Sequence, residues 1–192
     1  MINYKTTHEI EMMERAGRAL EGVVEALKEA IRPGIRTIDL DRLADKRIRA
    51  AGARPGFLGY NGFPNSICVS VNDEAVHGIP GRRRLADGDI VSLDLGLVMD
   101  GFWADMGCTV GVGRVDPEAE RLMRVTEECL GVAIEPMINQ GGPDVYIKPD
   151  GWTVCTTDGM LSAYFEHTVA ITKDGPRVLT RSNGAHPKQV AV

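Results

Sequence analysis

Residues 90–98 and 102–112 are two apolar runs joined through Asp100-Gly101, and that dipeptide constrains the fold more than any other feature. An Asp-Gly pair between such runs predicts a two-residue hairpin, because the favoured turn needs positive φ at both central positions. With Met99 facing Phe102, counting back along both strands sets Asp94 opposite Gly107. Opposed residues share a face, as do diagonal neighbours two positions away, roughly 7–8 Å apart or less. Asp94 and Asp105 therefore emerge on one side of a largely apolar hairpin. Two such acids repel unless a cation lies between them. Carboxylate oxygens are hard ligands, suited to magnesium, manganese or calcium and, with help, to iron, cobalt or zinc. The plainer alternative is a hairpin with one wet face.

Two further acids weigh against that alternative. Glu135 lies in Ala133-Ile134-Glu135-Pro136-Met137, read as a strand, where an unpaired charge is costly. Glu166 lies in the equally apolar Tyr164-Phe165-Glu166-His167-Thr168-Val169. Four acids on four predicted strands describe a divided metal cage. His77, where a strand gives way to Gly78-Ile79-Pro80, is a candidate catalytic residue, although a lone histidine is more often structural. His167 points away from Glu166 on a strand and is rejected as a ligand of the same ion.

The surrounding pattern is that of a mixed α/β domain. Thr6 and Glu9 form a capping box for a first helix, which Pro33-Gly34 stops. Thr37 reads as the cap of a second helix, ending before Gly52. Ile67, Val69 and Val71 alternate with Cys68, Ser70 and Asn72 as in a half-buried strand. Asp116-Pro117 opens a third helix running to Leu130. A last hairpin is read over residues 152–156 and 160–172, turning at Asp158-Gly159. Residues 1–181 read as one divided domain and residues 182–192 as a polar tail. The junction at Gly131 is abrupt: helix passes to Val132-Ala133-Ile134 with at most one glycine between, where about 4–6 connecting residues are usual.

Bulk properties narrow the partners. With 192 residues, 43% hydrophobic and 26% charged, the chain can bury a sizeable core. A net charge of -5 gives no electrostatic reason to expect nucleic acid or an anionic membrane, and Arg82-Arg83-Arg84 reads as a solvated turn. The start carries no apolar signal segment, no run approaches membrane-spanning length, and four scattered cysteines suggest neither a zinc knuckle nor a disulfide framework. The cytoplasm is the expected compartment.

An ordered set of strings carries a resemblance. Ser66-Ile67-Cys68-Val69-Ser70-Val71-Asn72, Ala75-Val76-His77-Gly78-Ile79-Pro80 and Asp87-Gly88-Asp89-Ile90-Val91 come first. Asp94, Asp100-Gly101-Phe102, Asp105, Ala133-Ile134-Glu135-Pro136-Met137, Asp150-Gly151-Trp152-Thr153 and Phe165-Glu166-His167-Thr168 follow. In this order and spacing the chain resembles the type I methionine aminopeptidases of the pita-bread fold, from the first helix to about Thr180. The resemblance implies an antiparallel sheet with outer helices and removal of N-terminal methionine from nascent chains. It implies Asp94, Asp105, Glu135 and Glu166 as ligands of two divalent ions (cobalt, manganese, iron, zinc or similar), with Asp105 and Glu166 bridging. A metal-activated water would attack the scissile carbonyl. His77 would hydrogen-bond the substrate near the reacting amide. Tyr60, Phe63, Cys68 and Trp152 match the methionine side-chain pocket, with plain core packing as the alternative.

The departure from the family pattern falls near Gly131. In the family, some tens of residues there carry a Gly-His-Gly motif, whose histidine is a metal ligand, and a His-Glu-Glu-Pro motif, whose histidine contacts substrate. Neither string occurs in this chain. The expectation is a shortened second repeat, one retained ion, impaired turnover, and an exposed sheet edge through which two copies can pair. A non-catalytic binding protein of the same fold and a partly folded product are the competing readings.

Overall fold

The computed structural model describes residues 4–181, so the polar tail read at 182–192 lies outside the described residues. The hairpin predicted around Asp100-Gly101 is the centre of the fold. Strands β4 (Ile90–Met99) and β5 (Phe102–Gly111) pair antiparallel from Ile90↔Gly111 to Met99↔Phe102. Asp100 (φ 50°) and Gly101 (φ 84°) both take positive φ, as the tight turn requires.

Helix α1 (Thr7–Ala30) starts at the Thr6–Glu9 capping box, and α2 (Thr37–Ala50) follows after the Pro33-Gly34 break. Thr37 does not cap α2 as the sequence suggested. Arg36 takes the cap position, and the Thr37 hydroxyl is drawn into the first turn by the Gly81 N–H, 2.8 Å away. Alternate residues of the hairpin face the helices: Val91, Leu93, Leu95 and Leu97 pack with Met106, Cys108, Leu20, Leu27, Leu40 and Ile48 in one buried cluster. Each fully buried leucine there stabilises by about 1.5–3 kcal/mol. The other face of the hairpin carries Ser92, Asp94 and Gly96, with Asp105, Gly107 and Thr109 beside them.

The short strand β1 (Arg54–Pro55) and β2 (Cys68–Val71) both pair with β4, and β10 (Glu166–His167) pairs with β5, giving a five-stranded antiparallel sheet. Strand β2 is buried on both faces rather than half-wet, because Ser70 is covered by the Gly78 N–H at 3.0 Å and Cys68 lines a pocket. Strands β3 (Glu74–Val76), β7 (Val145–Ile147) and β8 (Val154–Thr156) form a second sheet, and β6 (Met137–Asn139) pairs with β9 (Ser162–Tyr164). Strands β11 (Val169–Thr172) and β12 (Gly175–Val178) close as a hairpin. The hairpin read over 152–172 is thus corrected: β8 and β9 flank the Asp158-Gly159 turn but pair elsewhere, because Thr156 and Ser162 are both drawn to the Asp73–Asn72 backbone.

Among the described residues, the second half carries one α-helix, α3 (Pro117–Glu128), where the first half carries two. It ends in a single 3-10 turn at Cys129–Gly131, and residues 132–136 form no strand. Pro136 offers no N–H to a ladder, and five residues must carry the chain from α3 to β6. No helix among the described residues is long and apolar enough to cross a membrane.

Candidate active site

Four residues form one row across four strands. Cys68 on β2 pairs with Asp94 on β4, Asp94 with Gly107 on β5, and Gly107 with Glu166 on β10. Asp105 stands two positions from Gly107 on the same face. Ligand oxygens of Asp94, Asp105 and Glu166 all lie within 4.8 Å of one another. Two oxygens held by one hard ion at about 2.1–2.4 Å are at most about 4.2–4.8 Å apart, so the spread suits a single coordination sphere.

The electrostatics of the trio suit a bound cation. Asp94 Oδ1 and Asp105 Oδ1 are buried without a hydrogen-bond partner, a costly state for a carboxylate. Burial, then the charges of Asp105, Glu166 and Glu135, push the Asp94 carboxyl well above its usual range. Burial likewise raises Asp105 to about 6, against a hydrogen bond from the Met106 backbone. Glu166 rises to about 7 through burial and the neighbouring Asp105, despite the Tyr164 hydroxyl that donates to it. The donor set therefore fits a hard divalent ion, which would hold all three acids in their charged forms.

A cavity of about 290 Å³ opens beside these acids, lined by Phe57, Tyr60, Phe63, Cys68, His77, Trp152 and Tyr164 together with Glu135. Trp152 is its centre. The ring stands edge-on to Phe63 at 5.1 Å and to His77 at 6.4 Å, and Phe57 meets Phe63 at 6.5 Å. The Asp150 carboxylate accepts from the Trp152 and Thr153 N–H groups, both at 2.9 Å, and so fixes the turn that presents the indole. His77 is held at φ 58°, a region that non-glycine residues enter sparingly and often at functional sites. Gly78 makes the approach, since a Cβ there would lie 2.3 Å from the Val69 carbonyl oxygen.

The structure thus brings Tyr60, Phe63, Cys68, His77, Asp94, Asp105, Trp152 and Glu166 to one cavity. Glu135 sits differently from the sequence reading. It is exposed in the bend before β6, on the cavity's rim and outside the carboxylate trio, so three of the four acids lie on strands. Tyr164 and Phe57 escaped the sequence reading. Tyr164 lies two residues before Glu166, a spacing that shares a face on extended chain and could have drawn attention to it. His167 points away as expected, with Nδ1 2.8 Å from the Thr180 hydroxyl.

Comparison with known proteins gives the same direction. Residues 11–147 match the model of metallopeptidase family M24. The chain is 37% identical to a methionine aminopeptidase of Clostridium perfringens over 246 positions, covering 94% of this chain and 99% of that protein. It is 38% identical to methionine aminopeptidase 1 of Bacillus subtilis, covering 94% and 100%. Because 94% of 192 residues is about 180, at least about 65 of the 246 Clostridium positions have no residue of this chain opposite them. Among solved structures, methionine aminopeptidase from Rickettsia prowazekii superposes with a TM-score of 0.92 at 29% identity, covering 94% of this chain and all of that one. Prolidase from Pyrococcus furiosus shares the fold at a TM-score of 0.72 and 20% identity. The chain belongs to metallopeptidase family M24, among the methionine aminopeptidases.

Proposed function

We propose that this protein removes N-terminal methionine from peptides, with Asp94, Asp105 and Glu166 holding one divalent ion, and that it does so more slowly than full-length relatives. The observation that carries the reading is the convergence of three acids, two with orphaned buried oxygens, beside an aromatic cavity. When bound, the ion supplies Lewis acidity and an activated water.

The chain's own residues do the rest. Phe57, Phe63 and Trp152 give an apolar, polarisable wall suited to a thioether side chain, with Cys68 at its base and Tyr60 at its mouth. His77, edge-on to Trp152, is placed to hydrogen-bond the peptide group that follows the first residue. Glu135 on the rim adds negative charge where the peptide's α-ammonium would arrive.

Slow turnover follows from the ligand set. Among the described residues the group placed to hold an ion consists of three carboxylates, with no histidine in it, so oxygen donors would make up the protein's share of the ligands. Such a set favours manganese or magnesium over the borderline metals that imidazole holds well. A dimer is also part of this reading: among the described residues β7 has a strand partner on one side alone, with Val145, Tyr146 and Ile147 exposed.

Hydrolysis of a methionyl tripeptide after manganese loading tests the proposal, with Asp105→Asn as the comparison. Metal-dependent release of methionine that the substitution abolishes supports it. A folded, metal-binding protein that releases none makes the chain a binding protein instead.

A further inference from the structure

Tyr164 is buried at 2% exposure, and its hydroxyl donates to Glu166 Oε2 inside the carboxylate cluster. It is seated there firmly. Its N–H donates to Thr109 Oγ1 and its carbonyl accepts from the same hydroxyl, each at 2.8 Å, and Ser92 Oγ meets that hydroxyl at 2.8 Å. The ring fills the space that Gly107 leaves: a Cβ on Gly107 would come 2.0 Å from a Tyr164 ring carbon. The strand row therefore contains a glycine between Asp94 and Glu166 for a physical reason, because that gap admits the phenol.

We propose that Tyr164 is a positioning residue for the metal ligand Glu166, holding one carboxylate oxygen so that the other alone faces the ion and the centre takes a single cation. A carboxylate that bridges two ions offers an oxygen to each. With Oε2 already accepting from the phenol, Oε1 is the one oxygen of Glu166 left uncommitted, and the phenol competes with any second ion for Oε2. Hydrogen bonds that orient ligands in this way are worth about 10–100-fold in metal affinity. The inference rests on the proposed metal-binding role of Asp94, Asp105 and Glu166.

Calorimetric titration of the full chain with Mn(II), for the parent and Tyr164→Phe, tests it. The parent is expected to bind one equivalent, and the variant, folded by circular dichroism, to bind it about 10–100-fold more weakly. Near-ultraviolet difference spectra supply a readout that needs no variant of Tyr164. Metal should perturb a protonated tyrosine band in the parent and in Tyr60→Phe alike, saturating at one equivalent. Equal affinity in Tyr164→Phe, no tyrosine perturbation in the parent, two tight equivalents, or an ionised-phenol band would each overturn the proposal. A parent that binds no Mn(II) removes the metal-site reading itself, whereas binding unaffected by Tyr164→Phe removes only the role of Tyr164.

Discussion

Asp94 and Glu166 flank Gly107 in a single cross-strand row, so two acids 72 positions apart in sequence meet over a residue without a side chain. That gap makes Gly107 a sensitive backbone position in the site. Gly107→Ala should push the Tyr164 ring from its seat, cost about 1–3 kcal/mol as an overpacked core does, and weaken Mn(II) binding. Thermal unfolding alongside calorimetry reads both effects. A variant with unchanged stability and affinity would show that the site tolerates a Cβ there.

Metal binding should strengthen as pH rises. Asp105 and Glu166 titrate near 6 and 7 in the folded protein, above ordinary values of 3.8 and 4.5. Carboxyls raised in this way favour the fold while protonated, and that contribution is lost as pH climbs from about 4 through about 7. A cation that pairs with the charged forms removes the penalty. The rise in melting temperature produced by Mn(II) should therefore be larger at pH 8 than at pH 5.5. Equal rises at both would contradict the raised carboxyls.

His167 works with the opposite sign. Burial, with Arg181 and Lys28 nearby and Glu21 opposing, holds it down at about 4 against an ordinary 6.5. A depressed histidine favours the fold while neutral, so its contribution is complete above 6.5 and disappears as pH falls toward 4. His167→Gln, which can keep a hydrogen bond to Thr180, should flatten that part of the stability profile. An unchanged slope between pH 6.5 and 4 would exclude His167 as its source.

The core carries an ordinary prediction. Leu95 on β4 is fully buried in the cluster shared with the helices, and Leu95→Ala should cost about 2–5 kcal/mol in chemical unfolding. A loss below 1 kcal/mol would mean that the helix face repacks freely.

Most of this site was legible because a tight turn fixes register without any tertiary information. Asp100-Gly101 set Asp94 opposite Gly107, and the period of two carried Asp105 to the same face. Glu166 was legible from its apolar neighbours and from the family strings. What local pattern could not convey was pairing at a distance. Val154–Thr156 and Ser162–Tyr164 flank an obvious turn, yet each finds a different partner, because long-range hydrogen bonds override a local hairpin signal. Glu135 misled for a related reason: its apolar neighbours Val132 and Ile134 are 78% and 58% exposed, so an apolar string near a shortened connection did not mean burial. Tyr164 went unread because nothing local marks it: its ring reaches the acids only through the space left at Gly107, a residue on a strand far away in sequence.

The most direct test compares kcat/KM on a methionyl tripeptide, with Mn(II), for this protein and for the Bacillus subtilis relative. The account predicts metal-dependent hydrolysis that Asp105→Asn abolishes, at a rate about 100-fold or more below the relative, since misplacing one group alone can cost that much. Turnover equal to the relative, or hydrolysis that persists without metal, would contradict it.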